Sequence, residues 1–293
     1  MWDSENTSDN LARAPESAEG NISALQGPQP NPDVHLPEDL RVPWGWADLL
    51  LLLGIFVVAL VISSLAVGAG LTLIADARGT DPQQLFSQPN VRTVVLVLQQ
   101  TVTFALLFAY LFVRVRMAGA TAFWRTLGWR GAPVGERMRP AIYLLSLFGG
   151  AVVAILVQLA SLLHRPETPP PIEQFFRTRE SIFLTMGLAI GLAPLAEETI
   201  FRGFLYPVLA RSFGIRAGVL LTGALFGFSH AAQLWGAWWQ VVLLVLVGLA
   251  FTTLRAVAGS VTPAYFAHLG YNSALFVQFY AATNGFRNLP APL

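Results

Sequence analysis

The sequence predicts an all-α fold: a polytopic transmembrane helical bundle of about seven to eight helices behind a disordered N-terminal tail. Three observations predict it. The 293-residue chain is 54% hydrophobic and 12% charged, roughly half the charge fraction of a soluble domain. Its mean hydropathy is +0.56. Apolar runs close to the ~20 residues that a bilayer core demands recur along it.

Residues 1–43 form an acidic, Pro-rich stretch, "MWDSENTSDNLARAPESAEGNISALQGPQPNPDVHLPEDL" and a few residues more, which cannot bury enough apolar surface to order itself. A signal peptide opens on a short basic region followed by an apolar core. Here polar residues come first at length, so the first apolar run is expected to be a retained helix. Residues 44–179 hold the N-terminal helices and loops, and residues 180–283 a second transmembrane region. Hydrophobic runs place helices at 47–75, 93–115, 140–163, 181–210, 217–233, 237–254 and 260–282. The first is long enough to be two shorter pieces, and an eighth span has room.

Arginines set the expected orientation. Arg114, Arg116, Arg125, Arg130, Arg137 and Arg139 crowd the connection after the second helix, which marks it as cytoplasmic. Threading from there brings the N-terminus, Arg211, Arg216 and Arg255 to the cytoplasmic side and "QLWGAWW" to the outside. Arg165, Arg177 and Arg179 also fall outside, offset by Glu167, Glu173 and Glu180 in the Pro-rich loop "HRPETPPPIEQFFRTRE", which has room for a short interfacial helix. All 18 basic residues are arginine, as in proteins from GC-rich bacteria, so the expected location is a bacterial inner membrane. The absence of cysteine excludes thiolate metal sites and cysteine nucleophiles, and a net charge of +1 argues against nucleic acid.

Beyond residue 180, the ionisable groups deep inside spans are Glu197, Glu198, Arg202, His230 and His268. Each charge at mid-span costs about 3 kcal/mol, so such groups face a cavity or a partner. At ~1.5 Å per residue, Glu197 lies about 21 Å from Arg211, His230 about 21 Å from Arg216 and His268 about 20 Å from Arg255. Three helices thus present polar groups at one depth. Glu198 and Arg202 are four apart and share a helix face, leaving Glu197 about 100° away. His268 with Asn272, and Phe226 with His230, are also four apart. Gly187 with Gly191, and Gly223 with Gly227, suggest close packing of the fourth and fifth helices. Pro194 and Pro263 should free backbone carbonyls near the acids and His268.

Each group has a plainer role: a lone histidine can be a packing residue, Glu198–Arg202 a structural ion pair, Asn272 an interhelical bond. It is their convergence that points to a site. An acid beside histidines can activate water, and Asn or His donors can hold an oxyanion. Competing peptidase chemistries find no match. "AAQL" follows His230 and "LGYN" follows His268, so no HExxH zinc motif exists. The last aspartate is Asp81, which rules out an aspartyl dyad in the later helices. "GFSH" places Ser229 beside His230 but lacks the glycine of a rhomboid-type setting, and Ser229 is expected to bond its own helix.

"EETIFRG", "FGFSH" and "HLGYN" resemble, in order, the EExxxR, FxxxH and HxxxN motifs of the CPBP (Abi) family of CAAX prenyl proteases and bacteriocin-processing enzymes. "FRGFLYPVLARSFG" and "RAVAGSVTPAYFAH" resemble the flanking segments, although the second lacks a tryptophan often found there. The likeness covers roughly residues 180–277. It implies an intramembrane endopeptidase acting on a membrane-embedded or lipidated peptide or protein in the bilayer. Glu197 would be the general base, with His230 on the water and His268 and Asn272 forming an oxyanion pocket. Glu198 and Arg202 would position the first acid, and Phe226 would pack. Family members have also been described as metalloproteases, so the resemblance leaves open a zinc ion on Glu197, Glu198, His230 and His268. Two rival readings are a non-catalytic immunity or scaffold protein, and a proton-coupled transporter, which the lack of an inverted repeat disfavours.

Overall fold

The computed structural model describes residues 37–132 and 134–289. The tail expected over 1–43 lies outside the described residues up to position 36. Among the described residues, all regular structure is helical. Seven long helices run through it: α1 (Trp46–Arg78), α2 (Pro89–Met117), α3 (Arg139–Ser161), α4 (Arg179–Phe213), α5 (Ile215–Ser229), α6 (Trp238–Ala258) and α7 (Val261–Ala282). Five helical stretches, Trp46–Arg78, Pro89–Met117, Glu136–Ser161, Arg179–Phe213 and Trp238–Ala258, are long and apolar enough to cross a membrane. No eighth span occurs among the described residues; the helix Pro82–Ser87 has six residues.

Local chemistry explains the ends. α1 is one unbroken helix of 33 residues, because nothing between Trp46 and Arg78 interrupts its backbone hydrogen bonds. It starts where the Asp48 carboxylate accepts from the Gly45 N–H at 2.9 Å, and stops at Gly79, whose φ of 63° closes a left-handed cap. Thr178 caps α4 by accepting from Ser181 N–H at 3.1 Å, and Ser260 caps α7 through Thr262 N–H at 3.2 Å. α5 ends at Ser229, not near 233. Residues 230–236 form turns before α6.

Glycines choose the close crossings. A Cβ on Gly150 of α3 would lie 1.8 Å from the Ala267 carbonyl oxygen of α7, and one on Gly270 would lie 1.9 Å from the Leu147 oxygen. α3 and α7 therefore cross nearly backbone to backbone. The GxxxG expectation needs correcting. Gly223 and Gly227 pack on Leu249 and Val245 of α6, rather than on α4, and a Cβ on Gly187 or Gly191 would meet nothing within 4 Å.

One end of the bundle gathers the arginines that the threading placed together. The segment before α1 is strapped to it. Arg255 pairs with Asp39 at 2.7 Å and Arg130 with Glu38 at 2.9 Å. Arg211 donates to the carbonyls of Val42 and Trp44 at 3.0 and 2.8 Å, and Arg114 pairs with Asp48. Trp44 donates its indole N–H to the Phe204 carbonyl at 2.9 Å and stacks on that ring. Arg255, expected to mark a membrane face, is fully buried here. At the opposite end the Pro-rich loop forms the short 3-10 helix Pro171–Phe176, pinned where Ile172 N–H donates to the Gln233 carbonyl at 3.0 Å.

Candidate active site

α4 carries both acids and is not a plain α-helix. Residues Gly187–Leu192 and Glu198–Leu205 are π-helical on either side of Ala193–Glu197. In the first, Ala193 N–H bonds the Leu188 carbonyl, five residues back. The same register would give the Ala189 carbonyl to residue 194, but Pro194 has no N–H. Asn272 of α7 fills the vacancy, donating Nδ2–H to the Ala189 oxygen at 2.7 Å. The proline thus frees a carbonyl as expected, and the asparagine of the third motif is what satisfies it.

Glu198 and Arg202 form the floor, both at 0% exposure. Glu198 Oε1 accepts from Arg202 Nη1 at 2.9 Å and lies 2.9 Å from His268 Nδ1. Arg202 also donates Nε–H to Thr252 Oγ1 at 3.2 Å and Nη2–H to the Gly248 carbonyl at 3.3 Å. Its guanidinium carbon lies 4.3 Å from the centroid of the Phe226 ring, a cation–π contact sheltered from solvent. Phe226 is a hub: its ring centroid is 5.0 Å from that of His230 and 5.7 Å from that of His268.

Glu197 points elsewhere, as the spacing required. Its Oε1 is 3.9 Å from His230 Nε2 and its Oε2 is 3.8 Å from His268 Nε2. These gaps are too long for direct hydrogen bonds and too short to hold a water between the atoms, but a water on the cavity side of each pair lies within bonding distance of both members. The outer partners fix the tautomers. His230 Nδ1 lies 2.9 Å from the Phe226 carbonyl, which can only accept, so Nδ1 carries hydrogen. His268 Nδ1 likewise lies 2.9 Å from Glu198 Oε1, an oxygen that also accepts from Arg202, and donates to it. Neutral, both rings therefore turn an Nε2 lone pair toward Glu197. Ser229 bonds its own helix through the Phe226 carbonyl at 2.7 Å, as expected.

The chain brings together Glu197, Glu198, Arg202, Phe226, His230, His268 and Asn272 from α4, α5 and α7. The contact between Glu198 and His268, across 70 positions, was not foreseen, because spacing relates residues within a helix and not between helices. Nor was the share of α6: Gly248 and Thr252 hold Arg202, and Phe251 lies 5.5 Å from His268. Nothing in "GLAFTTLR" marked these residues, which are ordinary in an apolar helix.

The zinc set does not form as the resemblance allowed. Glu198 sits on the Nδ1 edge of His268, away from the Nε2 that faces Glu197. Among the described residues, no group of three or more His, Asp or Glu side chains has the arrangement to hold a metal ion.

A cavity of about 880 Å³ opens over the cluster, with Glu197, His230, His268 and Asn272 in its wall. Glu197 and His230 keep 18% and 20% of their side-chain surface exposed, so the first acid is accessible from the cavity while Glu198 and Arg202 behind it are buried. An acid and two imidazoles converging on an open cavity among apolar helices define a membrane protein of several long apolar helices with a polar site in its interior. Residues 179–274 match the family described as type II CAAX prenyl endopeptidase Rce1-like, which bears out the resemblance drawn from the three motifs. That stretch runs from the start of α4 past Asn272 and carries the whole cluster. No curated protein and no solved structure gives a significant match.

Proposed function

We propose that the protein is an intramembrane endopeptidase that hydrolyses a membrane-associated or lipidated peptide in a bacterial inner membrane, with its N-terminus in the cytoplasm. The observation that carries this reading is the pair of gaps, 3.9 and 3.8 Å, between the carboxylate oxygens of Glu197 and the two Nε2 atoms. A water on the cavity side of these atoms donates one hydrogen to His230 Nε2 and loses the other to Glu197 as its oxygen attacks the scissile carbonyl. The tetrahedral oxyanion is held by the second N–H of Asn272, whose first is committed to Ala189, and by the Nε2–H of a His268 that enters the step as the imidazolium and keeps both its protons throughout. Glu198 steadies that imidazolium, and Arg202 steadies Glu198. Collapse breaks the C–N bond, and the departing amine takes the proton from Glu197. The floor pair thus acts on His268 and only indirectly on the first acid.

The test is cleavage of a membrane-anchored peptide by the purified full-length protein in proteoliposomes. Glu197→Gln keeps the shape and removes the base, so activity should fall by about 10²–10⁴-fold with the unfolding midpoint unchanged. Full activity in that variant refutes the base assignment. A parent protein as inert as the variant favours the scaffold reading.

A further inference from the structure

A second proline in α4 leaves a second carbonyl without its helical partner. Over Glu198–Leu205 the hydrogen bonds run five residues back, and Tyr206 N–H closes on the Phe201 carbonyl. The next bond in that register would join residue 207 to Arg202, but Pro207 has no N–H. Arg255 of α6 supplies the donor instead, its Nε–H reaching the Arg202 carbonyl at 3.3 Å across 53 positions. That carbonyl belongs to the residue whose guanidinium holds Glu198. The arrangement repeats the one at Pro194, where Asn272 serves the Ala189 carbonyl. The stretch that carries both acids is therefore held at each end by a side chain from another helix.

The contact selects a pitch. An ordinary α turn would pair the Arg202 carbonyl with residue 206 and orphan that of Gly203, because residue 207 is again the proline. Arg255 thus bonds the carbonyl that the wide turn leaves open, and a buried carbonyl without a donor is costly. Tightening the turn with no residue removed would swing the acids against residues 206–213.

The strap before α1 seats Arg255. The side chain is fully buried, and Asp39 is its one ion-pair partner among the described residues, at 2.7 Å. A buried cation with a single acid depends on that acid to stay where it is. Its guanidinium carbon lies 5.4 Å from the centroid of the Tyr206 ring, so the group is clamped between the strap and α4. Trp44 of the same strap donates to the Phe204 carbonyl at 2.9 Å, two residues beyond the one that Arg255 serves. Neither Asp39 nor Trp44 lies within the matched residues 179–274.

We propose that Arg255 is a positioning residue, holding the wide turn of α4 that presents the two acids, and that the strap keeps it in place through Asp39. The inference rests on the proposed function for its kinetic readout; a second readout, amide exchange over residues 198–213, needs no turnover. In the full-length protein in proteoliposomes, Arg255→Met should lower kcat on the membrane-anchored peptide by about 10²-fold with KM little changed, and Asp39→Ala should act in the same direction. Both should speed exchange over residues 198–213 and leave α2 and α3 as in the parent. Arg255→Lys keeps the charge but offers one nitrogen where arginine offers a fork, so it can hold Asp39 or the carbonyl but not both, and kcat should stay low. Glu38→Gln breaks the strap's other pair, with Arg130, whose acid is 80% exposed, and should behave as the parent.

The deciding background is Pro207→Ala, which returns an N–H to the Arg202 carbonyl from within α4 and makes the bond from Arg255 dispensable. There Arg255→Met and Asp39→Ala should each cost several-fold less, in kcat and in exchange, than in the parent; Asp39→Ala carries the comparison if Arg255→Met does not fold. Equal losses in the two backgrounds, or full recovery with Arg255→Lys, would make Arg255 an ordinary buried ion pair and overturn the proposal. A parent that cleaves nothing refutes the proposed function, whereas exchange over residues 198–213 that depends on Pro207 upholds the contact between Arg255 and α4 regardless of turnover.

Discussion

Replacing Arg202 with methionine should destabilise the floor of the site, on which the cavity-lining Phe226 and His268 rest. Methionine keeps most of the volume of the side chain but removes its charge and the donors to Glu198, Thr252 and the Gly248 carbonyl. Glu198 Oε2 already has no partner, so the buried carboxylate would keep a single contact, His268 Nδ1. Removing one member of a buried pair costs about 3–5 kcal/mol. The neutral bonds to Thr252 and Gly248 add little, since these two groups also bond each other, Thr252 Oγ1–H donating to the Gly248 carbonyl at 2.7 Å within α6. Neutralising both partners should recover much of that loss, because no charge is then stranded: Glu198→Gln/Arg202→Met is expected about 2 kcal/mol above Arg202→Met. The assay is reversible unfolding in mixed micelles with rising SDS, followed through the fluorescence of the eight tryptophans. An Arg202→Met protein within about 1 kcal/mol of the parent, or a double variant no more stable than the single, would refute the reasoning.

Three further outcomes follow from the packing. Asn272→Leu strands the Ala189 carbonyl and should cost about 1–3 kcal/mol in the same unfolding assay; an unchanged midpoint would remove the asparagine from its structural role. Gly270→Ala forces a methyl to within 1.9 Å of the Leu147 carbonyl oxygen and should destabilise by at least ~1–3 kcal/mol, while Gly191→Ala, with nothing within 4 Å, should stay within about 0.5 kcal/mol. Equal midpoints for the two would contradict the α3–α7 crossing. Trp44→Ala removes a side chain that is 2% exposed and bonded to the Phe204 carbonyl; a loss of about 3–5 kcal/mol, with faster amide exchange over residues 37–45, is expected, and unchanged exchange there would show that the strap holds without it.

How much of this was legible in the sequence depends on which force sets each feature. The seven helices were legible because hydrocarbon demands long apolar runs, and Glu197, Arg202, His230 and His268 stood out because charge inside such runs is costly. The end of α5 was not, since "AAQLWGAWW" continues the apolar run past Ser229 with no proline or charge to stop it, and the turn is a tertiary choice. Small residues announced that something approaches closely at Gly223 and Gly227, but a glycine does not name its partner, and the partner is α6. The π turns were invisible for a related reason: Pro194 says which N–H is missing, whereas which carbonyl is orphaned depends on the register, and only the reach of Asn272 across to Ala189 reveals that. The pairing of Glu198 with His268 required knowing how α4 and α7 face each other.

The widened turns of α4 also give the helix slack in its own length. A π turn holds about one residue more than an α turn, so removing a single residue from Gly187–Leu192 would let that stretch rewind to the tighter pitch. Six residues at the wide pitch and five at the tight one sweep nearly the same angle, so the segments on either side of the cut would keep their faces. The same deletion in a regular stretch such as the middle of α7, where no turn has a residue to spare, would rotate one side against the other by about 100° and part His268 from Asn272. A one-residue deletion should therefore be borne better in the wide turns of α4 than anywhere in α7.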